Sequence, residues 1–432
     1  MALAACLSVV AMTASACSAG APTGANTAPS AIAPNSPWHG TLAAVSPPAP
    51  VNALNAVDCP TEFKCWAVGS TVGVSGAPNG AAVIATVNGG ASWTSQSIPA
   101  TVGYLSDIAC SDQRHCTAVG QAGQTSNGQG AILATSNGGA SWVQPATPPG
   151  VLDVTAVACQ ANHRCLAVGA VAGGVAALVS TAAGAPWVQK GSLPPGNTGA
   201  TGVSCSDTLH CWATASTAID LDHVAGVVTA TTDGGSTWVP VATPKGLGTL
   251  NAVSCLIGSS TGSGALPFTS TSTAPPTTSG SPTASGAAPT TGSTTTAPTT
   301  TTSTTATAKG VAGVRCTVVG TTATSLSGSR SGHGLVLTTD NGGARWSSQP
   351  VTASAAALRD VSCTAVDACV AVGSSVASSA PAGVLVLTGS TDRPWKQAAA
   401  VSAPQSLSGV SCVSTSRCVV VGESISEHLV GG

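Results

Sequence analysis

The sequence predicts an all-β fold, a seven-bladed β-propeller of four-stranded antiparallel blades with one disulfide in each blade. Three observations predict it: a motif that recurs about every 50 residues, a pair of cysteines in each copy, and a Trp that follows most pairs at a similar distance. Repeats of this length that fill a chain are typical of ring-shaped and solenoid architectures.

The composition favours strands over helices. Hydrophobic residues make up 43% of the 432 positions, but aromatic residues only 3% and charged residues only 6%. Small and β-branched side chains suit many short strands. The net charge is −2, and the 13 basic residues are scattered singly, so we expect no nucleic-acid partner.

The N-terminus carries the features of an export signal. A short apolar run ends in small residues, and residues 1–16 are predicted as a signal peptide. The segment "ASAC" resembles a bacterial lipoprotein processing site, which implies a lipid on Cys17. Plain secretion is the alternative. Residues 17–36 form a Pro/Thr/Ala-rich tether, so the predicted location is the outer surface of the cell membrane or the medium.

Seven repeat units, numbered one to seven in chain order, share one pattern. An apolar segment ends at a first Cys, five residues follow, and a second Cys starts a "CxAVG"-like segment; unit five carries a long insertion between its cysteines. The motifs occupy 54–69, 105–120, 154–169, 200–215, 250–255 with 316–320, 358–373 and 407–422.

The cysteine count predicts disulfides, since pairs at a repeated spacing in an exported protein are typical of them. The predicted pairs are Cys59–Cys65, Cys110–Cys116, Cys159–Cys165, Cys205–Cys211, Cys255–Cys316, Cys363–Cys369 and Cys412–Cys418. Closing a seven-residue ring contributes about 2 to 2.5 kcal/mol. Structural zinc is the alternative, but its sites usually have other spacings. We therefore predict no metal site and no cofactor.

Each unit is expected to hold four strands, A to D. Strand A ends at the first Cys, B starts at the second, C follows a variable loop, and D starts at the Trp. The turn before D needs glycines with positive φ and a short acceptor. That acceptor is Asn88, Asn137, Asp233 or Asn341. Trp38 precedes unit one, and unit seven lacks its own Trp, so an N-terminal strand is expected to close the ring.

Antiparallel strands divide the loops between two faces. The A–B turns with the disulfides and the C–D turns share one face, and the B–C and D–A loops form the other. Residues 37–432 are the predicted propeller, and residues 258–308, a Thr/Ser/Pro-rich tract, are a disordered insertion in unit five. His115, His163 and His210 lie in the Cx5C turns and are interpreted as turn surface.

The segment "TTDGGSTW" at 231–238 resembles the Asp box, with variants in most other units. The chain thereby resembles the BNR/Asp-box (sialidase-like) propeller superfamily, in style nearest to photosystem II stability/assembly factor-like proteins. The resemblance implies the fold and leaves the chemistry open, because members share blades and not reactions.

A sialidase would need three arginines around the substrate carboxylate, a Tyr nucleophile with a Glu, and an acidic Asp. Only Tyr104 and Arg330 lie on the loop face; Arg114, Arg164 and Arg417 lie in Cx5C turns on the other. One arginine cannot form the triad. No catalytic residue is predicted, and the chain is expected to be no enzyme.

The candidate binding residues lie in the B–C and D–A loops. They are Asp220, Asp222, His223, Arg330, His333 and Tyr104. The first three could ligate a metal or transfer protons, but solvated loop surface is the plainer interpretation. We expect a monomeric propeller that binds a protein or an envelope glycan through the face opposite the Asp boxes. The alternatives are a divergent glycoside hydrolase using Asp220, Asp222 or Tyr104, and an assembly factor for a membrane complex.

Overall fold

The computed structural model describes most of the repeat region. The described residues are 9–13, 41–45, 47–48, 50–71, 80–123, 128–182, 184–218, 224–257, 310–322, 333–351, 355–365, 368–375, 384–389, 394–401, 406–414 and 417–423. Over these residues the regular structure is β-strand. No helix among them is long and apolar enough to span a bilayer.

The strands follow the repeat. Two precede unit one: β1 (Val9–Thr13) and β2 (Thr41–Val45). Units one to three hold β3 (Val51–Asp58), β4 (Cys65–Thr71), β5 (Ala81–Thr86), β6 (Thr94–Ser95); β7 (Val102–Cys110), β8 (Cys116–Ala122), β9 (Gly130–Thr135); and β10 (Val151–Cys159), β11 (Cys165–Val171), β12 (Gly174–Ser180), β13 (Val188–Ser192). Units four and five hold β14 (Asn197–Cys205), β15 (Cys211–Ala218), β16 (Val224–Thr231), β17 (Val239–Pro240); and β18 (Leu247–Ile257), β19 (Val314–Thr322), β20 (Gly334–Thr339), β21 (Ser347–Gln349). Units six and seven hold β22 (Ala355–Ala365), β23 (Ala368–Ser375), β24 (Val384–Gly389), β25 (Lys396–Val401); and β26 (Ser406–Ser414), β27 (Arg417–Glu423).

Strands pair antiparallel in chain order within each unit. Units three to six form four-stranded sheets. Unit two forms a three-stranded sheet, and a bridge between Ala134 and Val143 adds the position of a fourth strand. The strands of units one and seven share one sheet with β1 and β2, joined through the pair Glu423 and Ala53. The expectation of four-stranded antiparallel sheets is thus confirmed in units three to six.

All seven predicted disulfides are formed. In unit two, for example, Cys110 and Cys116 are opposite residues on β7 and β8. Each bond thus closes the hairpin between strands A and B. Disulfides persist in oxidising compartments, so they indicate an extracytoplasmic location.

The turn before strand D has the predicted geometry. In unit one, Asn88 Oδ1 accepts the N–H of Ser92 at 2.9 Å, and Thr86 Oγ1 accepts the N–H of Gly90 at 3.0 Å. Gly89 and Gly90 have φ of 70° and 90°, which a residue with a Cβ rarely adopts. The Trp that follows is buried; Trp142, for instance, packs among residues of units one and two.

The N-terminal strand β1 lies between β27 and β2. It falls within residues 1–16, the predicted signal peptide. A mature chain that began at Cys17 would lack β1, so signal cleavage and this pairing belong to different forms of the chain. Cleavage stays a prediction. Cys17, Trp38 and the insertion at 258–308 lie outside the described residues.

Candidate functional site

An inner cavity of about 330 Å³ is lined by the A strands of all seven units, which are β3, β7, β10, β14, β18, β22 and β26. Neighbouring A strands lie side by side, and side chains rather than backbone pairing join them. This cavity is the candidate site, because it is where polar and charged groups from every unit meet.

A bulge in each A strand sets the direction of the lining side chains. The register shifts at the fourth residue before the first Cys, between Leu54 and Ala56 in unit one and at the same place in every other unit. A bulge leaves one residue unpaired and turns its side chain. The seven bulge residues are all polar: Asn55, Ser106, Thr155, Thr201, Asn251, Arg359 and Ser408.

The "AVG" glycine of strand B makes room for the bulge. A Cβ on Gly69 would meet the backbone carbonyl of Ala53. Gly120, Gly169, Gly320 and Gly373 face the same obstacle in their units. The recurring glycine is therefore explained by close backbone approach.

Four bulge residues donate a hydrogen bond to the next unit. The donor and acceptor pairs are Asn55 Nδ2 to Leu105 O at 2.7 Å, Ser106 Oγ to Val154 O at 2.9 Å, Thr201 Oγ1 to Leu250 O at 2.6 Å and Asn251 Nδ2 to Leu358 O at 2.6 Å. Thr155 donates to Val168 O within its own unit. These bonds stabilise the arrangement of neighbouring A strands.

A second set of bonds lies at the residue before the first Cys, where the side chain accepts the N–H of the next unit's first Cys. Asp58 Oδ2 accepts from Cys110 at 2.6 Å. Serines do the same in the pairs Ser204 with Cys255, Ser254 with Cys363, Ser362 with Cys412 and Ser411 with Cys59. Ala109 and Ala158 stand at this position in units two and three and have no side-chain acceptor.

Three carboxyl groups line the cavity. Asp107 Oδ2 and Asp360 Oδ2 each accept a backbone N–H from the next unit, from Val157 and Val410, both at 2.8 Å. Burial raises the pKa of Asp107 to about 7, and repulsion from Asp360 and Asp58 adds to the effect. Burial likewise raises the pKa of Asp58 and of Asp360 to about 6. The hydrogen bonds oppose burial in each case without cancelling it.

Units six and seven differ from the others in this wall. Arg359 is exposed, lines the cavity, and forms no hydrogen bond or ion pair with another described residue. Ser408 in the next unit likewise bonds to none of the residues that the structure describes. Among the described residues, the bulge side chains of units six and seven therefore have no partner and can contact a ligand. In units one, two, four and five they are bonded to the next unit.

The structure describes two of the six sequence-predicted binding residues, His333 and Tyr104. Asp220, Asp222, His223 and Arg330 lie outside the described residues. His333 is exposed, and its N–H donates to Thr322 Oγ1 at 3.0 Å. Tyr104 is 42% exposed on β7, and neither residue lines the inner cavity.

The wall of the inner cavity, formed by the seven A strands, was not predicted from the sequence. The signal was present as a column of seven polar residues four positions before each first Cys. Arg164 lies where the sequence predicts: its Nη2 donates to Gly234 O at 2.7 Å, on the face of the Asp-box turns.

No protein-family model matches the sequence, and no curated protein matches it. Solved structures do. A structure described as YCF48 bound to D1 peptide is similar with a TM-score of 0.51 and 11% identity, over 87% of this chain and 90% of that one. The GH74 enzyme of Niastella koreensis is similar with a TM-score of 0.55 and 12% identity, over 86% of this chain but only 51% of that one. These likenesses show a β-propeller fold.

Proposed function

We propose that this chain is an exported, seven-bladed propeller, closed by an N-terminal strand, that binds a partner protein and catalyses no reaction. The proposed binding surface is the face of the B–C and D–A loops together with the adjacent end of the inner cavity. Arg359 carries the proposal, as an exposed guanidinium in the cavity wall with no bond to another described residue.

The position of Arg359 favours the loop face. Each A strand runs from its D–A loop to its disulfide turn, so the bulge residue lies nearer the loop face than the residue before the Cys does. A guanidinium presents a planar set of donors that fits a carboxylate with two parallel hydrogen bonds. The expected ligand is therefore an acidic side chain or a C-terminal carboxylate of the partner.

The similarity to YCF48 supports a protein ligand over an envelope glycan. That protein is described with a bound peptide, and the likeness extends over nearly the whole of both chains. At 11% identity it shows the fold, and its ligand is support for a proposal only. An assembly factor for a membrane complex would bind a segment of a membrane protein through the same surface.

Peptide binding with matched arginine variants tests the proposal. A library of peptides with free or amidated C-termini and varied acidic content is screened against the intact chain, against Arg359→Gln and against Arg345→Gln. Arg345 is exposed in an Asp-box turn on the opposite face. We expect acidic or free-carboxylate peptides to bind the wild type and Arg345→Gln, and Arg359→Gln to lose about tenfold or more of the affinity. Equal binding by all three would refute it, and retention on a glycan array instead would favour the glycan.

A glycoside hydrolase is the second candidate. One observation favours it: Asp58, Asp107 and Asp360 line one cavity and have raised pKa values, as a general acid requires. Each carboxyl group also accepts a backbone N–H from the next unit, which a structural role explains equally well. Turnover of glucan oligosaccharides that Asp107→Asn abolishes would establish the enzyme.

We also propose that Cys17 carries a lipid, so that the propeller is held at the outer surface of the membrane. Mass spectrometry of the mature N-terminus tests this. A lipidated Cys17 is the expected result, and a mature chain that retains β1 would refute it.

A further inference from the structure

Two neighbouring disulfide turns bring an aspartate and two histidines together. Asp112 and His115 belong to the turn of unit two, and His163 to the turn of unit three. Each side chain presents one ligand atom, and the three atoms lie within 4.8 Å of one another. Asp112 Oδ2 is 2.9 Å from His115 Nδ1 and 3.8 Å from His163 Nδ1, and the two rings are 4.4 Å apart.

We propose that Asp112, His115 and His163 bind a Zn²⁺ ion. Zinc holds imidazole and carboxylate ligands at about 2.0 to 2.2 Å in a tetrahedron, so its ligand atoms are about 3.3 Å apart. The separations from Asp112, 2.9 and 3.8 Å, lie on either side of that value, and no two of the three ligand atoms are more than 4.8 Å apart. Rotation of these partly exposed side chains would bring the three atoms to that spacing and fill three of the four positions.

The surroundings suit an exchangeable ion. The side chains of Asp112, His115 and His163 are 41, 25 and 33% exposed, so an ion can reach them. A cavity of about 90 Å³ borders both histidines and has room for water at the fourth position. Ser111 Oγ lies 2.8 Å from His163 Nδ1, a hydrogen bond that the ion would replace when it binds through that atom.

Unit four repeats the pair without the third ligand. His210 Nδ1 lies 2.7 Å from Asp207 Oδ2, in the same Asp-x-x-His arrangement as His115 with Asp112. Among the described residues, no further His, Cys, Asp or Glu ligand atom completes a group of three there. The hydrogen-bonded pair is therefore a turn structure on its own, and His163 is what adds metal binding in unit two.

The ion would join two units that covalent bonds leave separate at this face. The disulfides Cys110–Cys116 and Cys159–Cys165 each close a hairpin within one unit. A ligand that binds only the folded state raises its stability. Zn²⁺ should accordingly raise the Tm of the wild type.

Zinc titration of the intact, disulfide-bonded chain tests the site. After dialysis against a chelator, Zn²⁺ binding is followed by calorimetry for the wild type, His163→Asn, His115→Gln and the matched control His210→Gln. Asn is chosen because His163 has φ of 63°, a conformation that Asn adopts more readily than most residues. We expect the wild type and His210→Gln to bind Zn²⁺ equally and both other variants to lose more than about tenfold in affinity.

The Tm separates metal binding from a purely structural role. With chelator present, His163→Asn should unfold close to the wild type; with Zn²⁺ only the wild type and His210→Gln should gain stability. Co²⁺ in place of Zn²⁺ should give the visible absorption of a tetrahedral site in these two proteins alone. Zinc affinity that is unchanged by His163→Asn, or lost with His210→Gln, would overturn the proposal.

Discussion

The pKa values of two groups of carboxyls are shifted in opposite directions. They are raised in the wall of the inner cavity, at Asp58, Asp107 and Asp360, and lowered in the Cx5C turns, at Asp112 and Asp207. Burial raises the pKa of Asp107 to about 7, although its carboxyl group accepts the N–H groups of Val157 and Ile108. Burial also opposes ionisation of Asp112, but the Arg114 N–H and the ring and N–H of His115 outweigh it and lower the pKa to about 2. Both groups accept several hydrogen bonds.

Asp107 accepts from two donor groups and Asp112 from three, so the larger contrast between them is burial. The wall carboxyls are desolvated and line one cavity, where Asp360 and Asp58 also disfavour ionisation of Asp107, and Asp58 that of Asp360. The turn carboxyls are partly open to water, which supports their charge. The wall consequently changes charge near neutral pH, whereas the turns stay ionised.

The largest expected effect is the pH dependence of the wall. A carboxyl group whose pKa is raised in the folded state binds more protons there than in the unfolded chain, so stability falls as pH rises from about 4 through 7. The triple variant Asp58→Asn, Asp107→Asn, Asp360→Asn should lack this loss. Between pH 4 and 8 the wild type should lose about 3 kcal/mol or more relative to the variant. Urea unfolding across that range measures it, and parallel profiles would contradict the raised pKa values.

The turns should show the opposite sign. The lowered pKa values of Asp112 and Asp207 add stability that is present above about pH 4 and is lost as the pH falls below it, down to about pH 2 for Asp112. Replacing Asp112 or Asp207 by Asn should therefore flatten the profile only below pH 4. A change at pH 6 to 7 in those variants would show that the two regions are coupled.

The next largest effect on stability is expected when one residue of the cavity wall, Asp107, is replaced. Asp107→Leu leaves the N–H of Val157 without its side-chain acceptor, and this should lower the free energy of unfolding by about 1 to 3 kcal/mol. Asp107→Asn keeps an acceptor and should lose less than about 1 kcal/mol. Measuring both at pH 5, where Asp107 is protonated, isolates the hydrogen bond. Equal losses would mean that the acceptor contributes nothing.

The sequence predicted the sheets and the turns well because their determinants are local. Cys110 and Cys116 are close along the chain, and the Asp-box acceptor binds N–H groups within four residues of it. Hydrogen bonds of that range can be predicted from the sequence of a single repeat.

The wall and the Asp112 group depend on contacts between units, about 50 residues apart in the chain. The polar bulge column was visible, but a polar residue in an alternating strand is ordinarily solvated surface, and nothing in one repeat shows that a bulge turns it inward. His163 looked like turn surface for the same reason, since its partners belong to unit two. The predicted loop residues Asp220, Asp222, His223 and Arg330 stay predictions.

A smaller effect is expected in unit four. Asp207→Ala removes the acceptor for the N–H groups of Leu209 and His210, at 2.8 and 2.9 Å. The site is partly open, so water replaces part of the loss, and a decrease of about 0.5 to 1.5 kcal/mol at pH 7 is expected. Asp207→Asn should recover most of it, measured by urea unfolding. A larger loss in the free energy of unfolding than that of Asp107→Leu would show that this turn contributes more to stability than the Asp107 hydrogen bond does.

The smallest effect is expected at Asp233, the only Asp among the four described Asp-box acceptors. Its Oδ1 accepts the N–H of Thr237 at 2.9 Å, just as Asn88 Oδ1 accepts that of Ser92 at 2.9 Å. Asn137 and Asn341 form the same bond in units two and five. Asp233→Asn should therefore change the free energy of unfolding by less than about 0.5 kcal/mol at pH 7, because an amide oxygen already serves this turn three times in the same chain. A larger loss would show that the carboxylate's second oxygen, bonded to Thr237 Oγ1, stabilises unit four beyond the turn itself.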